Sequence, residues 1–147
     1  MSNWQSKKIL VTGADGFIGS HLAETLVRKG ADVTALVLYN SFDSHGWLDE
    51  AKADVASAIR MVRGDIRDAY QMTQLAQGQD IVFHLAALIA IPYSYHSPGT
   101  YLSTNIQGTL IIPEDAQKGL KDIIIIFPGP PGVNNVTFTG EDKFEIK

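Results

Sequence analysis

The sequence contains no cysteine among its 147 residues. This absence excludes disulfide bonds, thiolate metal sites and cysteine nucleophiles. The sequence has fewer basic than acidic residues, with 12 Lys and Arg and 16 Asp and Glu, which gives a net charge of −4. That balance does not favour binding to nucleic acid. Long hydrophobic runs are also missing, and the polar N-terminus leads only to a short apolar run at 9–12. We therefore expect no signal peptide, no membrane partner and a cytoplasmic protein.

The rest of the composition is that of an ordinary globular domain, with 45% hydrophobic and 19% charged residues. Short apolar runs alternate with helical stretches, a pattern typical of an α/β doubly wound parallel sheet with helices on both faces. The patterns predict about five strands, at 8–12, 33–38, 59–62, 80–83 and 123–127. They predict helices at 17–29, 47–57 and 68–76, and a further helix that opens at Ser97 and Pro98.

Two segments carry more specific structural predictions. Residues at helical spacing predict the buried face of the first helix, namely Ile18, Leu22, Thr25 and Leu26. Residues 128–147 begin with a Pro-Gly-rich stretch and predict an irregular C-terminal tail. Weak alternation within this tail predicts short strands at 136–139 and 144–146.

A glycine-rich segment, Thr-Gly-Ala-Asp-Gly-Phe-Ile-Gly at 12–19, lies between the first predicted strand and the first predicted helix. Gly13 permits a tight turn out of the strand. Gly16 has no side chain and so lets a pyrophosphate approach the backbone, whereas Gly19 lets the helix pack close to the sheet. This context predicts a phosphate-binding turn.

The amides of Phe17 and Ile18 complete this prediction, because they lie at a helix N-terminus whose partial positive charge favours anions. The glycine spacing of three and three differs from the two and three of the usual dinucleotide fingerprint. The competing interpretation is a loop that needs glycine for its geometry alone.

The segment at 12–19 resembles the extended short-chain dehydrogenase/reductase family, the NAD-dependent epimerases and dehydratases of nucleotide sugars. Three further motifs follow in the order expected of that family: Gly-Asp-Ile-Arg-Asp at 64–68, His-Leu-Ala-Ala at 84–87 and Asn-Ile-Gln-Gly-Thr at 105–109. The resemblance covers residues 7–110 and implies a Rossmann-type dinucleotide-binding domain over 1–127. The run at 39–49 also resembles a subgroup of nucleotide-sugar 4,6-dehydratases.

The resemblance implies cofactor contacts from several side chains. Asp65, with Ile66 beside it, is expected at the adenine. Small residues are expected to pass under the ribose and the nicotinamide, and the matching segment is Leu85, Ala86 and Ala87. Asn105 is a further cofactor-binding candidate. Read without the family, Asp65 could be a turn residue, Ala86 and Ala87 could be core packing, and Asn105 could lie on a solvated helix face. His84 is better interpreted as a structural or supporting histidine than as a base.

The choice between NAD and NADP depends on the end of the second strand. An NAD site usually has an acidic residue there, some 20 residues after the glycine motif, but positions 38–40 are not acidic. An NADP site needs a nearby cation to pair with the 2′-phosphate, but residues 39–50 contain neither lysine nor arginine. Asn40 and Ser41 are the candidates for the ribose hydroxyls, with Asp43 as a further one, and the missing cation favours NAD.

The catalytic residues that the family uses are missing from this sequence. The resemblance implies a tyrosine base with a lysine four positions on, but no Tyr-x-x-x-Lys occurs. We expect no catalytic residue here and no C-terminal substrate domain. Three explanations remain open: a fragment of a dehydratase that is inactive alone, a non-catalytic dinucleotide-binding or sensing module, and an enzyme that uses Glu141 or Asp142.

Two expectations concern partners. The fifth strand, left with an unpaired edge, predicts self-association through that edge or through the last helix, unless residues 133–147 fold back over it. The partners expected are a dinucleotide cofactor and, by resemblance, a nucleotide-sugar substrate. A flavin or mononucleotide site on the same fold is the alternative class, which the loop chemistry disfavours.

Overall fold

The computed structural model describes residues 4–109, 122–125 and 136–139. Within them, six strands form one sheet in the order β3-β2-β1-β4-β5-β6. The strands are β1 Lys8–Thr12, β2 Asp32–Leu38, β3 Ile59–Gly64, β4 Ile81–His84, β5 Asp122–Ile125 and β6 Val136–Thr139. Strands β1 to β5 are parallel to their neighbours, and β6 is antiparallel to β5. The predicted Rossmann-type parallel sheet of about five strands is confirmed.

The helices in the described residues are α1 Phe17–Arg28, α2 Ala53–Ala56, α3 Ala69–Ala76, α4 Ile91–His96 and α5 Pro98–Leu102. A 3-10 helix spans Gly46–Glu50, and a π-helical turn, Ser103–Gln107, continues α5. The single helix predicted over 47–57 is wrong, because Ala51 and Lys52 have extended backbones that divide it. Pro98 begins α5 as predicted, but the Ser97 hydroxyl pairs with the Thr100 hydroxyl at 2.7 Å instead of capping the helix.

The predicted buried face of α1 is confirmed in part. Leu26 is buried and Leu22 packs partly buried against the core, as predicted. Gly19 and Ala23 are also buried, whereas Ile18 is 59% exposed and Thr25 lies on the exposed side. Small residues let α1 approach the sheet closely, so the contact face follows Gly19 and Ala23 rather than the larger apolar side chains. Ile18 is thereby left free to face the carboxyl edge of the sheet.

Alternate residues of β1 enter two separate cores. Ile9 and Val11 pack in the cluster that contains Ala23 of α1. Leu10 points to the opposite face, where it packs with Met72 of α3. Because successive strand residues point to opposite faces, β1 is covered by helices on both sides, and the helices thus lie on both faces of the sheet as predicted.

The prediction that β5 has an unpaired edge is wrong for residues 122–125. Their outer side pairs with β6, in a register that runs from Asp122 opposite Thr139 to Ile125 opposite Val136. The tail therefore returns to the sheet at 136–139, as one of the two weak strand predictions stated, and an edge that is already paired gives no reason for association there. The strand predicted at 144–146 lies outside the described residues, and association through the last helix stays a prediction.

Candidate functional site

A cavity of about 730 Å³ opens at the carboxyl ends of the parallel strands. It is lined by residues at or just after the ends of β1, β2, β3 and β4, namely Gly13, Leu38, Gly64 and Leu85. The chain order reverses between β1 and β4, which are neighbours in the sheet. In open α/β sheets, ligands bind in the crevice outside the strand ends at such a switch point.

Most of the residues predicted to bind a cofactor line this cavity: Gly13, Gly16, Phe17, Ile18, Gly19, Asp65, Ile66, Leu85, Ala86 and Ala87. The described lining does not include the other three, which are Asn40, Ser41 and Asn105. The structure thus brings three of the four motifs, which are far apart in the sequence, to one cavity.

The turn after β1 has a backbone that depends on Gly13. This residue has a φ of +66°, and a Cβ atom placed there would lie 2.8 Å from the amide nitrogen of Ala86. Gly13 therefore allows both the left-handed conformation and the close approach of the segment after β4. A Cβ on Gly19 would in turn collide with the carbonyl group of Gly13, so the start of α1 packs directly on the turn.

The N-terminus of α1 carries hydrogen-bond donors toward the cavity. Its N-cap residue is Gly16, which provides no side-chain cap, and the first turn contains no acidic residue. The first N–H groups of a helix have no acceptor within the helix, and here these belong to residues 17–19. Their dipole favours an anion, so the chain fits a phosphate group beside the N-terminus of α1.

The segment after β3 forms a second wall. Asp65 is paired with Arg67, whose Nε lies 2.9 and 3.0 Å from the two carboxylate oxygens. Hydrogen bonds from Arg67 hold the pKa of Asp65 below its usual range, against the opposing effect of burial. The Gln71 side chain fixes this wall, because its Nε2 donates to the Arg63 carbonyl at 2.8 Å and its Oε1 accepts from the Asp65 amide.

His84 lies below the cavity in a chain of hydrogen bonds. The Ala86 amide donates to Thr12 Oγ1 at 3.2 Å, and that hydroxyl lies 2.7 Å from His84 Nδ1. His84 Nε2 lies 3.0 Å from Thr109 Oγ1, which itself donates to the Asn105 carbonyl. Because Thr109 uses its hydroxyl proton in that bond, its Oγ1 accepts from His84 Nε2. In the neutral ring, Nδ1 then accepts from the Thr12 hydroxyl.

Burial lowers the pKa of His84 to about 4, and the residue is 3% exposed. A group that is neutral, buried and bonded at both nitrogens links β1 and β4 to Thr109, which follows the π-helical turn. These contacts agree with the interpretation of His84 as a structural histidine, which stays a prediction.

Asn105 holds the loop after β4 in place. Its Oδ1 accepts from the Leu88 amide and its Nδ2 donates to the Leu88 carbonyl, both at 2.9 Å. Leu88 lines the cavity, whereas the Asn105 amide is turned to the Leu88 backbone. Asn105 therefore shapes the cavity through Leu88, and direct contact of its side chain with a cofactor stays a prediction.

Asn40 and Ser41 occupy the loop after β2 without reaching the cavity. Asn40 Oδ1 accepts from the Phe42 and Ser44 amides at 3.1 and 3.2 Å, and its Nδ2 donates to the Ser44 carbonyl at 2.8 Å. The Asn40 side chain is thus occupied by its own loop. Ser41 is exposed.

Sequence reasoning missed part of the lining. Asp15 and Arg67 add charge to it, and the remaining additions are Leu36, Leu38, Gly64, Leu88, Ile89, Thr100 and Thr104. Tyr93 also lines the cavity; in the sequence, it is one of three tyrosines suited either to a substrate pocket or to ordinary packing. The spacing of four between the two threonines is the one sequence signal that places them on a common helix face. Among residues 4–109, 122–125 and 136–139, no group of three or more His, Asp or Glu is arranged to hold a metal ion, and no helix is long and apolar enough to cross a membrane.

Comparison with known proteins agrees with this geometry. The family model for GDP-mannose 4,6 dehydratase matches residues 10–127. The chain belongs to this family of nucleotide-sugar dehydratases and epimerases. Its match includes the glycine turn and the walls formed after β3 and β4.

Curated relatives in this family catalyse different reactions. The chain is 36% identical over 118 residues to the UDP-N-acetyl-alpha-D-glucosaminuronate decarboxylase of Bacillus cytotoxicus, covering 80% of this chain and 35% of that protein. It is 37% identical over 111 residues to the dTDP-glucose 4,6-dehydratase of Mycobacterium tuberculosis, covering 76% of this chain and 33% of that protein. The chain thus spans about a third of the length of these relatives.

A solved relative shows the same fold. MoeE5, in complex with UDP-glucuronic acid and NAD, is 29% identical with a TM-score of 0.64, covering 80% of this chain and 36% of that one. This chain therefore shares its Rossmann fold with a protein whose structure was solved with NAD bound.

Proposed function

We propose that this chain binds NAD through residues 1–127 as the dinucleotide-binding part of a nucleotide-sugar epimerase or dehydratase, and that it is inactive alone. The observation that carries the proposal is the α1 N-terminus, which opens without a side-chain cap on a cavity at the switch point between β1 and β4. A bound nicotinamide would accept a hydride from a sugar carbon. The absence of Tyr-x-x-x-Lys from the sequence removes the base that this transfer needs in the family.

The two ends of the cavity support an extended dinucleotide. The donors of residues 17–19 face a pyrophosphate at the middle of the cavity. The wall after β3, with Asp65 and Ile66, offers the adenine end, and Leu85 to Ala87 after β4 offer the nicotinamide end. Ile89, Tyr93 and Thr104 extend the lining beyond the β4 segment and suit a nucleotide-sugar substrate there.

The charges around the cavity favour NAD over NADP. Arg63, at the end of β3, forms an ion pair with Asp43 at 2.6 Å, and its Nη2 lies 2.8 Å from His45 Nε2. Arg67 is paired with Asp65. Both of these cations beside the adenine end are thus compensated by carboxylates, so neither is left uncompensated for a ribose 2′-phosphate.

A thermal-shift titration with NAD, NADH, NADP and a flavin mononucleotide tests the binding. At a ligand concentration of 100 times Kd, binding to the native state alone adds about 2.7 kcal/mol of stability. For a domain of this size we expect the Tm to rise by roughly 5–10 °C with NAD and NADH. A shift with the flavin only would favour the mononucleotide alternative, and no shift with any dinucleotide at millimolar concentration would contradict the proposal.

Gly16→Asp separates binding from folding. The backbone of Gly16 has φ −76° and ψ 167°, which any residue adopts, and a Cβ there would meet one atom, the Gly13 carbonyl oxygen at 3.3 Å. Aspartate is a good N-cap and is favourable at the positive end of a helix, but it places a carboxylate where the pyrophosphate should bind. We expect unchanged or higher stability in urea, with NAD affinity at least about tenfold weaker by calorimetry. Retention of full affinity would show that the phosphate does not lie at this helix end.

A further inference from the structure

An acidic side chain does lie at the end of β2, although it comes from another part of the sequence. Asp15 belongs to the glycine turn after β1, and its Oδ2 lies 3.3 Å from the amide nitrogen of Leu38, the last residue of β2. Asp15 and Leu38 both line the cavity. The acceptor for a ribose 2′-hydroxyl is usually an acid at the end of this strand, so the fold brings a carboxylate to that position from 23 residues earlier.

The Asp15 backbone is held by the loop after β2. The Trp47 amide donates to the Asp15 carbonyl at 3.0 Å, and Gly46, with a φ of +61°, approaches that carbonyl more closely than a residue with a Cβ could. The Trp47 ring also packs edge-on against Phe17, with centroids 5.2 Å apart. These contacts hold the glycine turn against the 3-10 helix and fix the position from which the Asp15 side chain reaches β2.

The Asp15 carboxylate has a different kind of partner from the other charged side chains that line the cavity. Asp65 and Arg67 compensate each other, whereas the Asp15 carboxylate meets the Leu38 amide, a neutral donor. A carboxylate has about four acceptor sites, so one N–H bond leaves capacity for a hydroxyl donor. A hydrogen bond from a hydroxyl to a carboxylate is charge-assisted and strong, whereas a phosphate on the same ribose carbon would be repelled.

We propose that the Asp15 carboxylate accepts a hydrogen bond from a hydroxyl of the adenosine ribose and excludes a 2′-phosphate, so that Asp15 determines the choice of NAD over NADP. This inference rests on the proposed dinucleotide function. It assigns the discriminating residue to the glycine turn and not to β2.

Calorimetric titrations of NAD and NADP into wild type and Asp15→Asn test the assignment. Asparagine keeps an oxygen for the Leu38 amide and removes the charge, so the turn is preserved. We expect NAD affinity to fall about tenfold and NADP affinity to rise, so that the ratio of the two affinities shifts toward NADP. Asp54→Asn is the matched control, since it makes the same charge change on the exposed side of α2, and it should leave both affinities unchanged.

A comparison of ligands on the wild-type protein adds a test that does not depend on how the variant folds. Wild type should bind ADP about tenfold more tightly than 2′-deoxy-ADP or 3′-deoxy-ADP, and Asp15→Asn should lose most of that difference. Wild-type protein that binds neither dinucleotide overturns the proposed function, and the role of Asp15 with it. Wild-type protein that binds NAD, with an NAD-to-NADP ratio that Asp15→Asn does not change, overturns the role of Asp15 alone.

Discussion

Replacing Gly13 with alanine is expected to lower the free energy of unfolding by about 3 kcal/mol and to abolish measurable NAD binding. The left-handed backbone at φ +66° costs an alanine roughly 1–2 kcal/mol. Its Cβ would also lie 2.8 to 2.9 Å from backbone atoms of Leu85 and Ala86, so the segment after β4 must move. That movement displaces the wall on which the nicotinamide end depends. Urea unfolding and calorimetric titration with NAD measure the two effects.

Gly78→Ala is the matched control for this substitution. Gly78 also has a positive φ, +77°, but no atom lies within 4 Å of a Cβ built there. It therefore has the backbone strain without the collision, and we expect a loss of about 1 kcal/mol with NAD binding unchanged. Equal losses in the two variants, or wild-type binding by Gly13→Ala, would contradict the role given to the contact between Gly13 and Ala86.

Acidification from pH 7 to pH 5 is expected to reduce the free energy of unfolding by about 2 kcal/mol through His84. Burial lowers its pKa from the ordinary 6.5 to about 4 in the folded chain. Between those values the unfolded chain binds more protons than the folded chain, so stability falls as pH decreases. The contribution is complete above pH 6.5 and is lost progressively toward pH 4. Urea unfolding at pH 7, 6 and 5 measures it.

His84→Gln removes the titrating group, so its unfolding free energy should change much less over the same pH range, although the variant is less stable at pH 7. His96→Gln, at the exposed end of α4, should keep the wild-type pH dependence. A wild-type protein whose stability is constant between pH 7 and pH 5 would mean that His84 is not buried in neutral form. Asp65 does not contribute to the change in stability between pH 7 and pH 5, because its pKa is lowered from 3.8 and lies below this range.

Local patterns predicted the parts of the fold that local physics determines. The strand before Gly13 and the helix after Gly16 were predictable, because backbone freedom, apolar period and helix termini act within a few residues. Weak alternation in the sequence indicated the strand β6. Its antiparallel pairing with β5 was not predictable from that pattern, because pairing depends on contacts between distant segments. Helix α4 was missed because Pro92 lies near its start, in a stretch with no buried side chain to give a period.

The candidate site was harder to predict where side chains act at a distance. Asn40 occupies the expected position after β2, but its amide is consumed by hydrogen bonds within its own loop. The Asn105 amide likewise holds Leu88. Asp15 was overlooked, since a search for an acid at the end of β2 examines the residues of that strand. Only the folded turn shows that a residue after β1 reaches the same place.

A titration of ¹⁵N-labelled protein with NAD, followed by the amide signals, tests the central claim most directly. The account predicts that the signals of residues 16–19 and 64–67 shift together and saturate with one affinity, while those of α2 stay in place. Saturable shifts confined to residues outside the cavity, or no shifts at millimolar NAD, would contradict it.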